Sequence, residues 1–391
     1  MIPHPSRRAV LALGASALGA RFLGGPAFSE TVGGRKLVMI VCRGAMDGLS
    51  VAPPRADTAY LDYRGPIAIA PDKALPFDAD FGLHPKLVSL QRLATQGQMR
   101  LAPAAAIPLR IRSHFEAQDD LESGASGLYE ASTGWLNRTV QALGGSAARA
   151  MAFGAQEPLI LRGPARVDSW SPGARFNPAG TRLAMQVHDL YDGDAILAPA
   201  LAHGLAVEAE ADRIGVAGRT KDARDLAGAV ARFLTSPGGP AIAVLSMEGF
   251  DTHAGQGAEQ GQLANRLGEL DAVIGGLADG LGDNWSQTIV TVATEFGRTV
   301  RVNGTKGTDH GTASTLLLAG GALKPGGLIG DWPGLAEARL FENRDVAPTL
   351  DVRAVFKSVL RDHLGIGRQR LEKQVFPDSG AVAPVENLIR A

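Results

Sequence analysis

Residues 288–319 read TIVTVATEFGRTVRVNGTKGTDHGTASTLLLA, in which two apolar runs flank a long polar segment. The runs at 288–292 and 315–319 have the continuous apolar character of strands that are buried on both faces of a sheet. Besides four glycines, the segment between them includes two carboxylates, a guanidinium and an imidazole that stand out among its polar side chains: Glu295, Arg298, Asp309 and His310. A connection between core strands needs turn residues but not these groups, so the segment is a candidate functional site.

Other parts of the chain repeat this pattern of apolar runs, with helical spacing between them. Further strands are predicted at 36–42, 99–102, 158–161 and 241–246. Helices are predicted at 87–93, 113–122, 221–234, 262–281 and 351–364. Strands that alternate with helices predict an α/β fold with a mainly parallel sheet and helices on both faces. In such sheets, ligands bind beyond the carboxyl ends of the strands.

Length and charge limit the organisation and the partners of the protein. With 391 residues, the chain is long enough for one large domain or two smaller ones. We expect a single domain over 30–391, in which 162–215 forms an insertion or a lid. A net charge of -1, without a basic block beyond the N-terminus, argues against nucleic-acid binding. Cys42 is the only cysteine, so an internal disulfide is excluded.

The N-terminus has the features of an export signal. The pair Arg7-Arg8 precedes an apolar stretch over 9–20, and small residues further on provide a cleavage site. This pattern predicts a twin-arginine (Tat) signal peptide over 1–29, with the Tat export machinery as a partner and a periplasmic or otherwise exported location. A stable membrane span is disfavoured, because it needs ~20 apolar residues and Arg21 interrupts the stretch.

Acidic and imidazole side chains follow three of the predicted strands. The residues placed in this way are Asp47, Asp251, His253 and Glu295. Together with Asp309 and His310, they offer the mixture of carboxylates and imidazoles that suits Zn²⁺ or Mn²⁺. Carboxylates that meet without a cation repel one another, whereas divalent ions relieve the repulsion and activate an oxygen nucleophile. The pattern therefore predicts a divalent metal site built from these six residues.

Each of these residues also has a simpler interpretation. Asp47 lies in a glycine-flanked segment and could be an ordinary turn residue. Asp251 and His253 are compatible with an Asx-turn and a surface histidine. Glu295 could pair with Arg298, and the acidic and imidazole groups of the last turn could be solvated without a function. Only the shared position after strands favours a joint site.

Ser113 opens a predicted helix and has two interpretations. In the first, Ser113 and Glu116 form a capping box, in which each side chain bonds the backbone amide of the other. In the second, Ser113 is a nucleophile at a helix N-terminus that faces an anion, and Arg110 or Arg112 helps to hold that anion. The neighbouring His114 is a candidate ligand, base or capping neighbour.

Ten blocks of the sequence, taken in order, resemble the Tat-exported domain of unknown function 1501 family. They are SRRAVLALG, CRGAMDGLS, FGLHPKL, RSHFEAQDDLESG, GWLNR, PLILRG, FDTHAGQG, TEFGRTVRVNGTKGTDHGTAS, GDWPGL and DVRAVFKSVL. The resemblance extends from the signal to VFP at 375–377. That family is in turn similar in fold to the alkaline phosphatase/sulfatase superfamily. This similarity implies a mainly parallel sheet with a metal-dependent site at the strand ends.

The similarity to the superfamily also implies roles for individual residues. The implied metal ligands are Asp47, Asp251, His253, Glu295 and His310, and the implied nucleophile is Ser113. If the protein is such a hydrolase, we further expect Arg43, Arg112 and Arg298 to face the anion. Phe296 takes the place of the histidine that the superfamily has after its acidic ligand, which is a departure from the pattern. An alternative alignment makes Asp309 and His310 that Asp-His pair and leaves the last histidine ligand unassigned.

Together these observations predict an exported, metal-dependent hydrolase whose substrate is a small anionic phosphate or sulfate ester. The alternative is a non-catalytic envelope protein that keeps a phosphatase-like scaffold to bind a ligand or a partner. Phe296 and the capping-box interpretation of Ser113 favour that alternative. A structural calcium site without turnover is an intermediate hypothesis.

Overall fold

The computed structural model describes residues 34–144, 148–173, 186–187, 189–216, 220 and 222–390. The predicted signal peptide lies outside these residues. The strands are β1 Lys36–Cys42, β2 Leu75–Pro76, β3 Gly82–Leu83, β4 Met99–Ala106, β5 Ala150–Phe153, β6 Asp168–Trp170, β7 Ile242–Met247, β8 Thr288–Ala293, β9 Ser314–Ala319 and β10 Leu350–Asp351. The helices are α1 Gly48–Val51, α2 Ala59–Arg64, α3 Val88–Thr95, α4 His114–Ser123, α5 Trp135–Ala142, α6 Leu197–Arg213, α7 Ala223–Thr235, α8 Gln262–Leu281, α9 Val352–Ser358 and α10 Arg368–Arg370.

Eight of these strands form one sheet in the order β10-β4-β9-β8-β1-β7-β5-β6. β1 lies in the middle and runs parallel to β7 and β8, with Met39 opposite Val244 and Thr291. β9 is the exception, because it runs antiparallel to both β4 and β8. β2 and β3 form a separate antiparallel pair. The carboxyl ends of β8, β1 and β7 are therefore adjacent at one edge of the sheet.

The side chains of β1 alternate between the two faces of the sheet, as the pleat requires. Met39 is buried in a core cluster with Trp135 of α5 and Phe356 of α9. Ile40 is buried in a second cluster that contains Leu267 of α8. Both faces of the sheet are thus covered by helices. The predicted α/β fold, with a mainly parallel sheet and helices on both faces, is confirmed.

Most predicted elements are present, with ends that differ by a few residues. The strand predicted at 158–161 is wrong, because Leu159–Leu161 forms a 3₁₀ turn. Pro158, directly before this turn, has no N–H to donate to a strand ladder. The helix predicted at 351–364 is divided, since α9 continues as the π-helical turn Val359–His363.

Parts of the predicted insertion at 162–215 extend the sheet. β6 is its outermost strand on one side and pairs in parallel with β5. Asp168 of β6 accepts a 3.0 Å hydrogen bond from Arg149 and is also bonded by His203 of α6, which ties that helix to the sheet edge. In the described part of the chain, no helix is both long and apolar enough to cross a membrane.

Candidate metal centre

Arg298 joins the three turns that follow β1, β7 and β8. Its buried guanidinium donates hydrogen bonds to the carbonyl oxygens of Gly44 (3.0 Å), Ala45 (2.9 Å), Phe250 (3.2 Å) and Thr308 (3.1 Å). It also donates to Asp251 Oδ1 through a short charge-assisted bond. Arg298 therefore positions the site, and its donors are not free to face a substrate anion as the sequence predicts.

Three imidazoles and one carboxylate meet at this edge of the sheet. His114, Asp251 and His310 each offer one ligand atom, and these three atoms all lie within 4.8 Å of one another. His253 Nε2 lies 2.9 Å from His310 Nε2 and 3.1 Å from Asp251 Oδ1. His310 Nε2 lies 3.2 Å from the same carboxylate oxygen. His114 Nε2 lies 3.5 Å from Asp251 Oδ2.

These separations fit a single bound ion. Two nitrogen ligands of a tetrahedral Zn²⁺, each at 2.0–2.1 Å from the metal, lie about 3.3 Å apart. The distances of 2.9, 3.1 and 3.2 Å among His253, His310 and Asp251 are close to that value. Imidazole and carboxylate donors are those that Zn²⁺ accepts, so the side chains present suit such an ion.

The ring orientation of two histidines directs their Nε2 atoms into this group. His310 donates from Nδ1 to the carbonyl oxygen of Arg112 at 2.8 Å, which leaves the Nε2 lone pair on the inner side. His114 Nδ1 lies 2.8 Å from Glu295 Oε1 and donates to it. His114 Nε2 is buried and makes no hydrogen bond, although buried polar atoms nearly always have a partner. An ion at the centre would satisfy this atom.

Glu295 lies behind His114 and is fully buried. Its Oε1 also accepts hydrogen bonds from the Gly44 amide (2.8 Å) and from Gln118 (3.2 Å), and its Oε2 from Thr294 (2.9 Å). This is a correction to the predicted ligand set, because Glu295 supports a ligand and does not join the group. A carboxylate that holds the distal nitrogen of a ligating histidine fixes its tautomer and raises its basicity.

Neighbouring charges shift the pKa values of these groups. Burial opposes the charge of Glu295, but hydrogen bonds from His114 and the Gly44 amide outweigh it and lower the pKa of that carboxyl. The hydrogen bond to Glu295 raises the pKa of His114 against the effect of burial. Burial lowers the pKa of His310. Burial also opposes the charge of Asp251, but Arg298 lowers the pKa of Asp251 below its usual range.

Asp47 is a second correction to the predicted ligand set. It is buried and forms a close ion pair with Arg64, which is itself fully buried. It also accepts hydrogen bonds from Ser50 (2.8 Å) and Gln256 (2.6 Å). All three contacts fall on Oδ2, and Asp47 is not among the side chains that form the candidate ligand group.

Asp309 lies on the outer side of His253. Its Oδ1 is 3.5 Å from His253 Nδ1, the nitrogen that faces away from the other ligands, and accepts a 3.1 Å hydrogen bond from Asn303. At 3.5 Å, Asp309 makes no hydrogen bond to His253, and it is not among the residues of the candidate ligand group. Phe296, in the place of the superfamily histidine, stacks on His114 with ring centroids 5.0 Å apart.

The predicted anion-facing arginines at 43 and 112 are paired with acids. Arg112 contacts Asp345 at 2.6 Å and Glu342 at 2.7 Å. Arg43 contacts Glu122 at 2.5 Å and Gln118 at 2.7 Å. These pairs are a correction, because the guanidinium groups are already neutralised by carboxylates.

Ser113 is the N-cap of α4, but its side chain makes no capping hydrogen bond. The predicted capping box is therefore not formed, and the hydroxyl is not held by the helix backbone. Ser113 directly precedes His114. Sequence reasoning left His114 open as a ligand, a base or a capping neighbour and did not include it in the predicted set of six metal ligands. Its partner Glu295 is 181 positions away, so no local pattern connects the two.

The connection between β8 and β9 lies against the turn that carries His253. Gly255 and Gln256 donate backbone hydrogen bonds to the carbonyls of Thr305 (2.9 Å) and Lys306 (3.0 Å). A Cβ atom at Gly307 would lie 2.3 Å from the backbone carbonyl of His253. Glycine at 307 therefore allows the contact that brings His253 next to His310.

A comparison with known protein families assigns the chain to one of them. Residues 34–375 match the family described as "Protein of unknown function (DUF1501)". The chain belongs to this family, and the membership predicted from its ten sequence blocks is confirmed. No curated protein matches the sequence.

Several solved structures resemble the chain at low identity. The C-terminal periplasmic domain of EcEptC from Escherichia coli, in complex with Zn, is 10% identical with a TM-score of 0.35, over 73% of this chain and 72% of that chain. The sulfatase PsFucS1 from Pseudoalteromonas sp. is 11% identical with a TM-score of 0.40, over 100% and 78%. The lipoteichoic acid synthase LtaP from Listeria monocytogenes is 10% identical with a TM-score of 0.40, over 92% and 82%. At these scores, the likeness assigns no activity to this chain.

Proposed function

We propose that this protein is an exported, divalent-metal-dependent hydrolase of a phosphate or sulfate ester. The observation that carries the proposal is the convergence of His114, His253, His310 and Asp251 at one partly exposed edge of the sheet. Asp251 and His253 have side chains that are 42% and 45% exposed. A substrate can therefore reach the ligand group from solvent.

Different residues of the chain would have different roles in such a reaction. His114, His253, His310 and Asp251 hold the ion, while Glu295 and Arg298 orient two of these ligands. A bound divalent ion would supply positive charge for the oxyanion of the ester and lower the pKa of an oxygen nucleophile. Ser113 is our candidate for that nucleophile, since it adjoins His114 and its hydroxyl takes no part in capping.

The donor set argues against the structural calcium hypothesis. Calcium sites in proteins take six to eight oxygen ligands, whereas three of the four donors here are imidazole nitrogens. An ion of the zinc type suits the group better.

One set of assays tests the proposal. We expect the purified protein to hold about one zinc ion per chain and to hydrolyse 4-nitrophenyl phosphate or sulfate when loaded. A Ser113→Ala variant should bind the ion normally and lose most of its turnover, because the nucleophile is gone. Full turnover in this variant would remove Ser113 from the mechanism. Failure of the protein to bind zinc would contradict the proposed metal centre.

A non-catalytic binding protein is the second candidate. It is favoured by the carboxylate partners of Arg43, Arg112 and Arg298, which leave these three arginines without a free guanidinium for an anion. Zinc binding without hydrolysis of either ester, in a protein that still binds phosphate, would establish this second function in place of the first.

Export is part of the same proposal. The support is the sequence at 1–29, and the test is the double variant Arg7→Lys, Arg8→Lys in the full chain. We expect it to remain in the cytoplasmic fraction, whereas the unchanged chain should reach the exported fraction. Equal export of both would contradict a twin-arginine signal.

A further inference from the structure

Gln256 lies in the loop after β7, and its side chain is fully buried. Its Oε1 accepts hydrogen bonds from the hydroxyls of Thr252 (2.8 Å) and Thr308 (2.8 Å). Its Nε2 donates to Asp47 Oδ2 (2.6 Å) and to Ser50 Oγ (3.2 Å). One amide group therefore connects the turn after β1, the loop after β7 and the connection between β8 and β9.

The partners of this amide determine its orientation. An ionised carboxylate only accepts hydrogen bonds, so the end of Gln256 that faces Asp47 must be the NH2 group. Asp47 is in turn held by the guanidinium of Arg64. The carbonyl oxygen of the amide then faces the two threonine hydroxyls, and each hydroxyl can donate to it. Both ends of the buried side chain are thus matched to their partners.

The two threonines belong to the segments that carry candidate ligands. Thr252 lies between Asp251 and His253 in the chain. Thr308 is two positions before His310, and its backbone amide donates a 3.2 Å hydrogen bond to the Thr252 carbonyl. Because each peptide unit is planar and of fixed length, holding Thr252 restricts the Cα positions of both of its neighbours. The Gln256 amide therefore acts on the backbone from which these ligands extend.

His253 depends most on this backbone support. Its Nδ1 is 3.5 Å from Asp309, beyond hydrogen-bond distance, so that contact does not fix the ring. Its Nε2 nevertheless lies 2.9 Å from His310 Nε2 and 3.1 Å from Asp251 Oδ1. A shift of the loop after β7 relative to the connection between β8 and β9 would change these separations directly.

We propose that Gln256 is a positioning residue of the metal centre, which sets the separation of His253 from His310 through Thr252 and Thr308. The inference rests on the proposed function, because it assumes that these histidines bind an ion. Gln256 does not ligate the ion in this arrangement. Asp47, which the sequence predicts as a ligand, instead anchors the amide that holds the ligand-bearing segments together.

Gln256→Met tests the proposal, because methionine is similar in length but lacks both groups of the amide. We expect the zinc Kd to rise about tenfold in a competition titration with a chromophoric chelator, at the lower end of the effect of residues outside the ligand group. The absorption bands of the Co²⁺-loaded protein should also shift, since these bands depend on the coordination geometry. A loss of stability alone would not change them.

Asn137→Leu is the matched control. Asn137 is also fully buried, and its amide donates to the carbonyl oxygens of Leu161 and Ala165 at 2.8 Å each, outside the candidate site. We expect this variant to keep the zinc Kd and the Co²⁺ spectrum of the unchanged protein, whatever its effect on the free energy of unfolding. An equal rise of the zinc Kd in both variants would overturn a positioning role that is specific to Gln256.

Two threonine variants test the path of the effect. Thr252→Val and Thr308→Val each remove one hydroxyl, and we expect each to raise the zinc Kd by a smaller factor than Gln256→Met. Thr252→Val should cause no further rise when Gln256→Met is already present, because the bond between them is gone.

Two results would overturn the positioning role in a protein that binds zinc. One is an unchanged zinc Kd and Co²⁺ spectrum in Gln256→Met, and the other is full additivity of Gln256→Met and Thr252→Val. If Gln256→Met does not fold, an unchanged zinc Kd in both threonine variants has the same meaning. Failure of the unchanged protein to bind zinc would instead overturn the metal centre and the proposed function.

Discussion

The Nε2 atoms of His253 and His310 lie 2.9 Å apart, at the meeting point of two loops that are 57 positions apart in the chain. His310 Nδ1 carries a proton, because it donates to the carbonyl oxygen of Arg112. The Nε2 lone pair of His310 is therefore directed at His253. Two imidazoles in this relationship either share a proton or bind one cation, and the nearby Asp251 carboxylate supports the cation.

His310→Ala should abolish tight zinc binding, because it removes a ligand whose ring is fixed by its second nitrogen. We expect the metal content to fall from about one ion per chain to less than a tenth of that, as measured by elemental analysis after dialysis. His203→Gln provides the matched control, since His203 contacts Asp168 far from the centre. Equal loss in both variants would show that zinc binds histidines without selectivity.

Glu295→Gln should weaken zinc binding without removing a ligand. Glutamine can still accept the proton of His114 Nδ1, but it lacks the charge that raises the basicity of that imidazole. We expect the zinc Kd to rise about 10- to 100-fold, in a competition titration with a chromophoric chelator. An unchanged Kd would mean that Glu295 serves only to fill the core behind the turn.

Arg64→Ala should destabilise the fold and leave the metal centre in place. It leaves the buried Asp47 carboxylate without its cationic partner, which typically costs about 3–5 kcal/mol in the free energy of unfolding. Urea denaturation measures this cost. Arg92→Ala is the control, because Arg92 and Asp279 are 3.5 Å apart and both exposed, and such pairs contribute about 0–1 kcal/mol. Loss of zinc from the folded Arg64→Ala protein would show that the Asp47–Arg64 pair also supports the metal centre.

His363 should make the fold sensitive to acid. Burial, with a smaller effect from Arg35, lowers the pKa of His363 to about 4, despite the hydrogen bond to the Lys36 carbonyl. In the unfolded chain this group has a pKa of about 6.5, so the unfolded state takes up the proton first as the pH falls. The contribution of the neutral His363 imidazole to the free energy of unfolding is complete above pH ~6.5. It is lost as the pH falls towards ~4, by about 3 kcal/mol in total.

The variant His363→Gln isolates this effect. Glutamine can donate to the Lys36 carbonyl but does not titrate. We expect the free energy of unfolding to depend less on pH in the variant than in the unchanged protein between pH ~6.5 and ~4. Parallel curves for the two proteins would show that the neutral imidazole is not needed for folding.

Gly307→Ala should disturb the centre through the backbone. The added Cβ would lie 2.3 Å from the His253 carbonyl, so the two loops must separate. We expect weaker zinc binding with little change in the secondary structure, as followed by chelator competition and circular dichroism. Gly304→Ala is the matched control in the same connection, because a Cβ at Gly304 has no neighbour within 4 Å. If both variants bind zinc like the unchanged protein, the loop contact does not position His253.

Periodicity predicts the sheet and most helices because apolar burial alone determines those elements. β1 and α8 occur at 36–42 and 262–281 as the sequence predicts. The position of acidic turns after β1, β7 and β8 also follows from the sequence, since parallel neighbours end at the same edge. These elements need no information about distant side-chain partners.

The division of roles within the site could not be predicted in this way. Asp47 and Glu295 have the same signature in the sequence, an acid after an apolar strand. Arg64 neutralises Asp47, whereas His114 turns Glu295 into a supporting group. Both outcomes depend on residues from other elements. Only packing decides which partner each acid meets.

Three side chains of the centre are each held by a hydrogen bond to a second residue: Asp251 by Arg298, His114 by Glu295 and His310 by the Arg112 carbonyl. His253 is the exception, since its outer nitrogen lies 3.5 Å from Asp309, beyond hydrogen-bond distance, and its side chain is 45% exposed. A cation held here would therefore have three firmly positioned ligands, Asp251, His114 and His310, and one mobile ligand, His253. If His253 moved away, the other three residues could still hold the cation, and an oxygen from a substrate could take the place of the imidazole.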